Sequence, residues 1–196
     1  KQEEKKQMEK NILLVGVGGQ GTLLVSKILS EGLMEAGYDV KMSEIHGMSQ
    51  RGGSVSTHIK FGKKVNSPVI AEGEADIMVS FEQVEALRWI DYLKKGGMVI
   101  VNDHQIYSMP VISGDQKYPE GVIEEIKKLV PNCLSINAVA MAEELGNAKA
   151  MNVILLGALL KRLDLKDIDW DKVVAQMVPE KFRDLNLKAL EAGRNL

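Results

Sequence analysis

Gly16–Gly21 reads GVGGQG and stands between NILLVGV and TLLVSKILSEGLMEAG. The first flank is a short apolar run, suited to a strand buried in a parallel sheet. The second places Leu23, Leu24, Ile28, Leu29, Leu33 and Met34 at three- and four-residue spacing, closed by Gly37. That spacing predicts an amphipathic helix with a glycine C-terminal cap. Gly16, Gly18 and Gly21 therefore satisfy G-x-G-x-x-G in the one context where the pattern has meaning, after a strand and before a helix. Glycine permits tight turns and positive φ. Bare backbone also lets an anionic group approach the N–H groups of the following helix without help from a lysine. Gly19 adds one more bare position and Gln20 a polar amide. The bland alternative is that these glycines only let the helix pack closely on the strand.

Tyr38–Ser43 alternates and reads as a second strand, completing a β-loop-α-β unit of about 30 residues, the size of a crossover between parallel strands. Glu44 lies 23 residues after Gly21, where a dinucleotide fold carries its ribose-binding acid. Ser54–Phe61 alternates and suggests an edge pair or a hairpin with the segment around Val65. Further strands are expected at Asp76–Ser80, Gly97–Asn102 and Cys133–Asn137, and helices at Val84–Leu93, Glu120–Leu129 and Ala138–Leu145. Tyr107–Tyr118 is rich in turn residues. After Asn147 the strands stop. Met151–Leu163 is apolar nearly all round, which marks a buried helix, and helices over Asp169–Met177 and Glu180–Leu190 follow. Strands alternating with helices predict an α/β fold: a three-layer Rossmann-like domain with a mostly parallel sheet and a helical C-terminal part. With no repeat and no linker, residues 11–196 read as one domain behind a charged lead-in at 1–10.

The segment EIHGMSQRGG, Glu44–Gly53, shows neither period and reads as a loop. It leaves strand two at the carboxyl end of the sheet, where open α/β folds collect ligands. A histidine such as His46 can act as acid, base or hydrogen-bond donor. Arg51 presents a planar fork for phosphate or carboxylate. Ser49 and Gln50 are polar, and Gly47, Gly52 and Gly53 let the loop follow a contour closely. The alternative is a solvated loop with a structural histidine.

Composition narrows the function classes. Twenty-five Lys and Arg stand against 27 Asp and Glu, a net charge of −2, which argues against a protein held to nucleic acid by phosphate attraction. Aromatic residues are 5%, too few for a base-stacking platform. No apolar run approaches the roughly 20 residues that span a bilayer. The lead-in KQEEKKQMEK does not read as a signal peptide, so the expected location is cytoplasmic. The single cysteine, Cys133, cannot supply the four thiolates an iron–sulfur cluster usually takes. His46, His58 and His104 are too scattered for a zinc site, and no metal site is expected. There is no H-E-x-x-H, no nucleophile elbow and no Walker-type lysine. The chain lacks a self-sufficient catalytic set.

NILLVGVGGQGTLLVSKIL, SEIHGMSQRGGSVSTHIKFG, SPVIAEGEADIMVSFEQVEALR, KAMNVILLGAL and VPEKFRDLNLKALEAG resemble the gamma-domain family of 2-oxoacid:ferredoxin oxidoreductases, from Asn11 onward. GVGGQG and HGMSQRGG together, at this separation, are far more specific than either alone. Within the family the likeness is to members acting on indolepyruvate. The resemblance implies an enzyme subunit, inactive alone, of a complex that oxidatively decarboxylates a 2-oxoacid such as indolepyruvate or another arylpyruvate. The product is an acyl-CoA, coenzyme A is the co-substrate, and electrons pass to ferredoxin. It implies that thiamine diphosphate and iron–sulfur clusters sit on a larger alpha subunit, and that this chain holds no cofactor alone. It carries site roles onto Gly16, Gly18, Gly19, Gln20 and Gly21 of the first motif. In the second it carries them onto Glu44, Gly47, Met48, Ser49, Gln50, Gly52 and Gly53, with His46 and Arg51 closest to the chemistry. Two other readings stay open: a stand-alone dinucleotide-binding oxidoreductase of Rossmann type, and a non-catalytic assembly module.

Overall fold

A computed structural model of the chain describes residues 9–47 and 52–196. Through them runs a six-stranded sheet in the order β2-β3-β1-β4-β5-β6. The strands are β1 Lys10–Val17, β2 Asp39–His46, β3 Ser54–Gly62, β4 Ala75–Ser80, β5 Leu93–Asn102 and β6 Cys133–Ile136. β1, β4, β5 and β6 pair in parallel, whereas β3 runs antiparallel to both β1 and β2. The helices are α1 Thr22–Glu35, α2 Gln83–Arg88, α3 Met109–Ile112, α4 Val122–Leu129, α5 Ala138–Glu144, α6 Met151–Leu163, α7 Trp170–Met177 and α8 Arg183–Arg194.

Helices cover both faces. Alternate residues of a strand point to opposite sides. Ile12, Leu14, Ile77, Val79 and Ile100 face one layer, built from α1 and α5 to α8. Leu13, Val15, Met78, Val99 and Val101 face the other, where α2 and α4 lie. NILLVGV is continuously apolar because β1 is buried on both sides. The three-layer α/β architecture and the helical C-terminal part are as expected. The first ten residues of α6, Met151–Leu160, are all buried, so its all-round apolar surface is internal core.

Three local expectations are corrected. β2 is not the hydrogen-bonded neighbour of β1, because β3 lies between them. β2 also runs on to His46, so Glu44, Ile45 and His46 are strand rather than loop. β3 is an interior strand, not an edge or a hairpin with the segment around Val65. Its polar positions Ser56, Thr57 and His58 are buried, which the polar–apolar alternation disguised as a solvent face. The segment after β3 folds back over His58: the Ile70 N–H donates to its Nδ1 at 3.1 Å. The rings of Trp89 and Tyr92 stand edge-on to that imidazole. In addition, β5 begins at Leu93 rather than Gly97, across a register shift between Ala75 and Ile77 of β4.

Candidate functional site

The first glycine loop leaves β1 at the carboxyl end of the sheet. Gly19 and Gly21 have positive φ, 100° and 82°, so a side chain there would be strained. Gly16 is required by proximity instead. A Cβ on it would lie 2.8 Å from Gln20 Oε1 and 2.9 Å from the Phe81 Cβ. The Gln20 amide fastens the loop at both ends: Oε1 accepts from the Val17 N–H at 2.8 Å and Nε2 donates to the Phe81 carbonyl at 2.8 Å. Gln20 is thus bound to its own protein and holds the loop's shape. α1 starts at Thr22 with no side-chain cap and no acid in its first turn, and its Leu24 and Val25 N–H groups turn back to the Gly21 carbonyl, which leaves those ahead of Leu24 for solvent or a ligand.

The second motif runs from β2 to β3, and its end at Gly53 lies against the first loop. The Gly18 N–H donates to the Gly53 carbonyl at 2.9 Å. Across the sheet Gly16 is opposite Val55, and Val55 is opposite His46. His46 is exposed at this end, with Nδ1 3.3 Å from the Gly47 carbonyl. Gly52 is exposed with φ 77°. Met48, Ser49, Gln50 and Arg51 lie outside the described residues. Glu44 is not brought to the first loop. It is paired across β3, where it accepts from Thr57 Oγ1 at 3.3 Å.

A cavity of about 620 Å³ opens beside Gly19, Gln20 and Gly21. Sequence reasoning missed its other walls. His104 and Ile106 after β5, Asn147–Asn152 ahead of and into α6, and Val178, Pro179 and Phe182 complete it. Its lining mixes apolar side chains with a few polar groups, the usual character of a small-molecule site. Asn152 joins the walls, since its Nδ2 donates to the Gly21 carbonyl at 3.4 Å. The available signal was the KAMN and VPEKF segments, which resemble the family yet carry no motif of recognised chemistry.

A smaller cavity of about 280 Å³ is lined by Gly52, Ser54, Glu82, Glu85, Arg88 and Tyr118 among others. The Tyr118 hydroxyl donates to Glu82 Oε1. Burial, and then the carboxylate beside it, push the tyrosine hydroxyl far above its ordinary range. Burial also raises the Cys133 thiol, against the opposing charge of Lys127. Among the described residues no three His, Cys, Asp or Glu side chains are grouped to hold a metal ion. Among them no helix is long and apolar enough to cross a membrane.

Comparison with known proteins places these features in context. The profile of the pyruvate ferredoxin/flavodoxin oxidoreductase family matches residues 11–196. The chain is 41% identical over 192 residues to the indolepyruvate oxidoreductase subunit IorB of Archaeoglobus fulgidus, covering 96% of this chain and 95% of that one. It is 42% identical over 192 residues to the IorB subunit of Pyrococcus horikoshii, covering 94% of each. The fold is that of the gamma subunit of a keto/oxoacid ferredoxin oxidoreductase from Geobacter sulfurreducens, with a TM-score of 0.69 at 22% identity, over 95% of this chain and 96% of the other.

Proposed function

The chain belongs to the pyruvate ferredoxin/flavodoxin oxidoreductase family, and from that membership we propose that it serves as the small subunit of an indolepyruvate or related arylpyruvate:ferredoxin oxidoreductase. The single observation that carries the reading is the identity with IorB subunits along nearly the whole length of both chains. In that role it takes part in oxidative decarboxylation of a 2-oxoacid to an acyl-CoA, with electrons passed to ferredoxin. A larger alpha subunit supplies the reactive cofactors, and the complex works in the cytoplasm.

This chain's own side chains do not suit an iron–sulfur cluster. One half-buried thiol, pushed towards its neutral form, is a poor ligand and cannot hold an iron–sulfur cluster. In our reading the clusters therefore belong to the companion, and we assign thiamine diphosphate to it as well. The contribution of this chain is a shaped wall. The backbone of Gly16, Gly18, Gly19 and Gly21, held in shape by Gln20, offers donors to an anionic or amide-bearing group such as coenzyme A. In this reading Gly47, Met48, Ser49, Gln50, Gly52 and Gly53 of the second motif contribute to the same site, with Glu44 in β2 behind them. His46 donates to developing negative charge there, and Arg51 pairs with an anionic part of substrate or coenzyme.

The stand-alone dinucleotide reading loses its geometric support. It needs an acid at the end of the strand next to β1, and β3 occupies that place. The test is co-purification followed by assay. A larger thiamine- and iron–sulfur-containing protein is expected to accompany the chain, and 2-oxoacid-dependent ferredoxin reduction is expected to require both. His46→Ala and Arg51→Ala are expected to lower turnover at least ten-fold. A flavin or nicotinamide held tightly by the lone chain, or turnover without a companion, overturns the proposal.

A further inference from the structure

Gly52 and Gly53 have no side chains to fix the backbone that meets the first loop, so the nearest anchor is the residue after them. That residue is Ser54, the first of β3. Its hydroxyl donates to Glu85 Oε2 at 2.5 Å. Glu85 stands in the first turn of α2 and is 5% exposed. Its other oxygen lies 3.1 Å from Arg88 Nε, and its backbone N–H donates to Glu82 Oε2 at 3.0 Å. Glu82, 2% exposed, also accepts from the Ile106 N–H at 3.2 Å. Ile106 is a wall of the larger cavity.

We propose that Glu85 is a positioning residue for the two glycine loops, acting through Ser54 to hold Gly53 under the Gly18 N–H. A buried carboxylate must find donors, and a hydroxyl bound to a charged acceptor is held more firmly than one bound to a neutral group. The chain of contacts runs Arg88, Glu85, Ser54, Gly53, Gly18. A second arm through Glu82 holds the cavity lining at Ile106. The glycine loops and Ile106 thus take their place from one pair of carboxylates that lies outside the larger cavity. The inference rests on the reading that these loops line the site, and its test separates the two.

The whole chain, assembled with its large subunit, is compared as wild type, Ser54→Ala, Glu85→Ala and Glu85→Gln. In Glu85→Gln the amide oxygen still accepts from Ser54, and Arg88, largely exposed, turns to solvent. Hydrogen exchange read by mass spectrometry on the segment holding Gly18 is expected to quicken on the order of 10-fold in both alanine variants, with α6 unchanged. Glu85→Gln, whose neutral amide still accepts but holds the hydroxyl less firmly, is expected to exchange faster than wild type and slower than Glu85→Ala. Ferredoxin reduction is measured in parallel. Faster exchange at Gly18 with reduced turnover supports the positioning role and the site reading together. Faster exchange with unchanged turnover upholds the positioning role and overturns the site reading. Unchanged Gly18 exchange in Ser54→Ala, the gentler change, overturns the positioning role, as does acceleration that spreads equally to α6.

Discussion

Gly157 and Gly193 face each other where α6 and α8 cross, each so close that a Cβ on one would come within 2.9 Å of the other's Cα. The same added Cβ would be driven into backbone, at the Leu190 carbonyl oxygen from Gly157 and at the Ile154 carbonyl oxygen from Gly193. Alanine's better helix propensity returns about 1 kcal/mol. Overpacking against backbone that cannot rotate away costs about 1–3 kcal/mol or more. Gly157→Ala and Gly193→Ala are therefore each expected to lose about 1–2 kcal/mol net, seen as a lower urea midpoint. A raised midpoint in either variant contradicts this account of the crossing.

Gly19 and Gly21 share positive φ but differ in surroundings. Nothing lies within 4 Å of a Cβ added at Gly19, whereas one at Gly21 meets the Asn152 amide. Gly19→Ala is expected to cost about 1–2 kcal/mol from backbone strain alone. Gly21→Ala is expected to cost more, and Asn152→Ala in the same chain to recover the difference. A double-mutant cycle in thermal melts checks this: additive losses would show that Asn152 is not what the alanine meets.

His58 is 3% exposed, and burial holds its imidazole below the ordinary value of 6.5. Its Nδ1 accepts from the Ile70 N–H, so the folded protein favours the neutral ring. On acidification the unfolded chain binds this proton first. Stability is thus complete above about pH 6.5 and falls below it, by up to about 1.4 kcal/mol per pH unit. Urea midpoints from pH 7.5 to 5.5 should decline more steeply in wild type than in His58→Asn, whose side-chain oxygen can still accept from Ile70. Parallel declines would assign the acid limb to other groups.

Cys133 is half-buried, with its thiol held towards the protonated form. Attack on a disulfide reagent requires thiolate. At pH 7.5 the folded chain should react with such a reagent at least ten-fold more slowly than the urea-unfolded chain, with one thiol released per chain in the end. Equal rates would mean that the β6 end of the sheet opens freely.

Much of the sheet was legible because buried strands announce themselves. NILLVGV, DIMVS and the end of β5 are apolar runs with glycine or polar residues at their limits, and α6 matches its apolar run from Met151 to Leu163. The insertion of β3 between β1 and β2 was not legible, since pairing order depends on long-range contacts that no local period records. Ser56 and His58 even pointed the wrong way, because a buried polar side chain, such as His58 beneath Ile70 and Trp89, looks the same in a sequence as one in water. At the site, GVGGQG carried its own context and Gly18 does meet the second loop. The cavity's other walls were illegible for a different reason. Asn152 and Phe182 are ordinary helix and turn residues whose role comes only from where α6 and α8 are packed. Gln20 shows the reverse case, a polar residue in a ligand-like motif whose amide serves the loop's own shape.

Asn152 reaches back to Gly21 over 131 residues. Closing so long a span carries an entropy cost that short-range contacts do not repay early in folding. Every strand of the sheet precedes Asn152, so a chain still emerging from the ribosome can possess both glycine loops and all six strands while the hollow beside them has no far side. Anything that recognises that hollow is thereby blind to unfinished polypeptide and engages only the completed subunit.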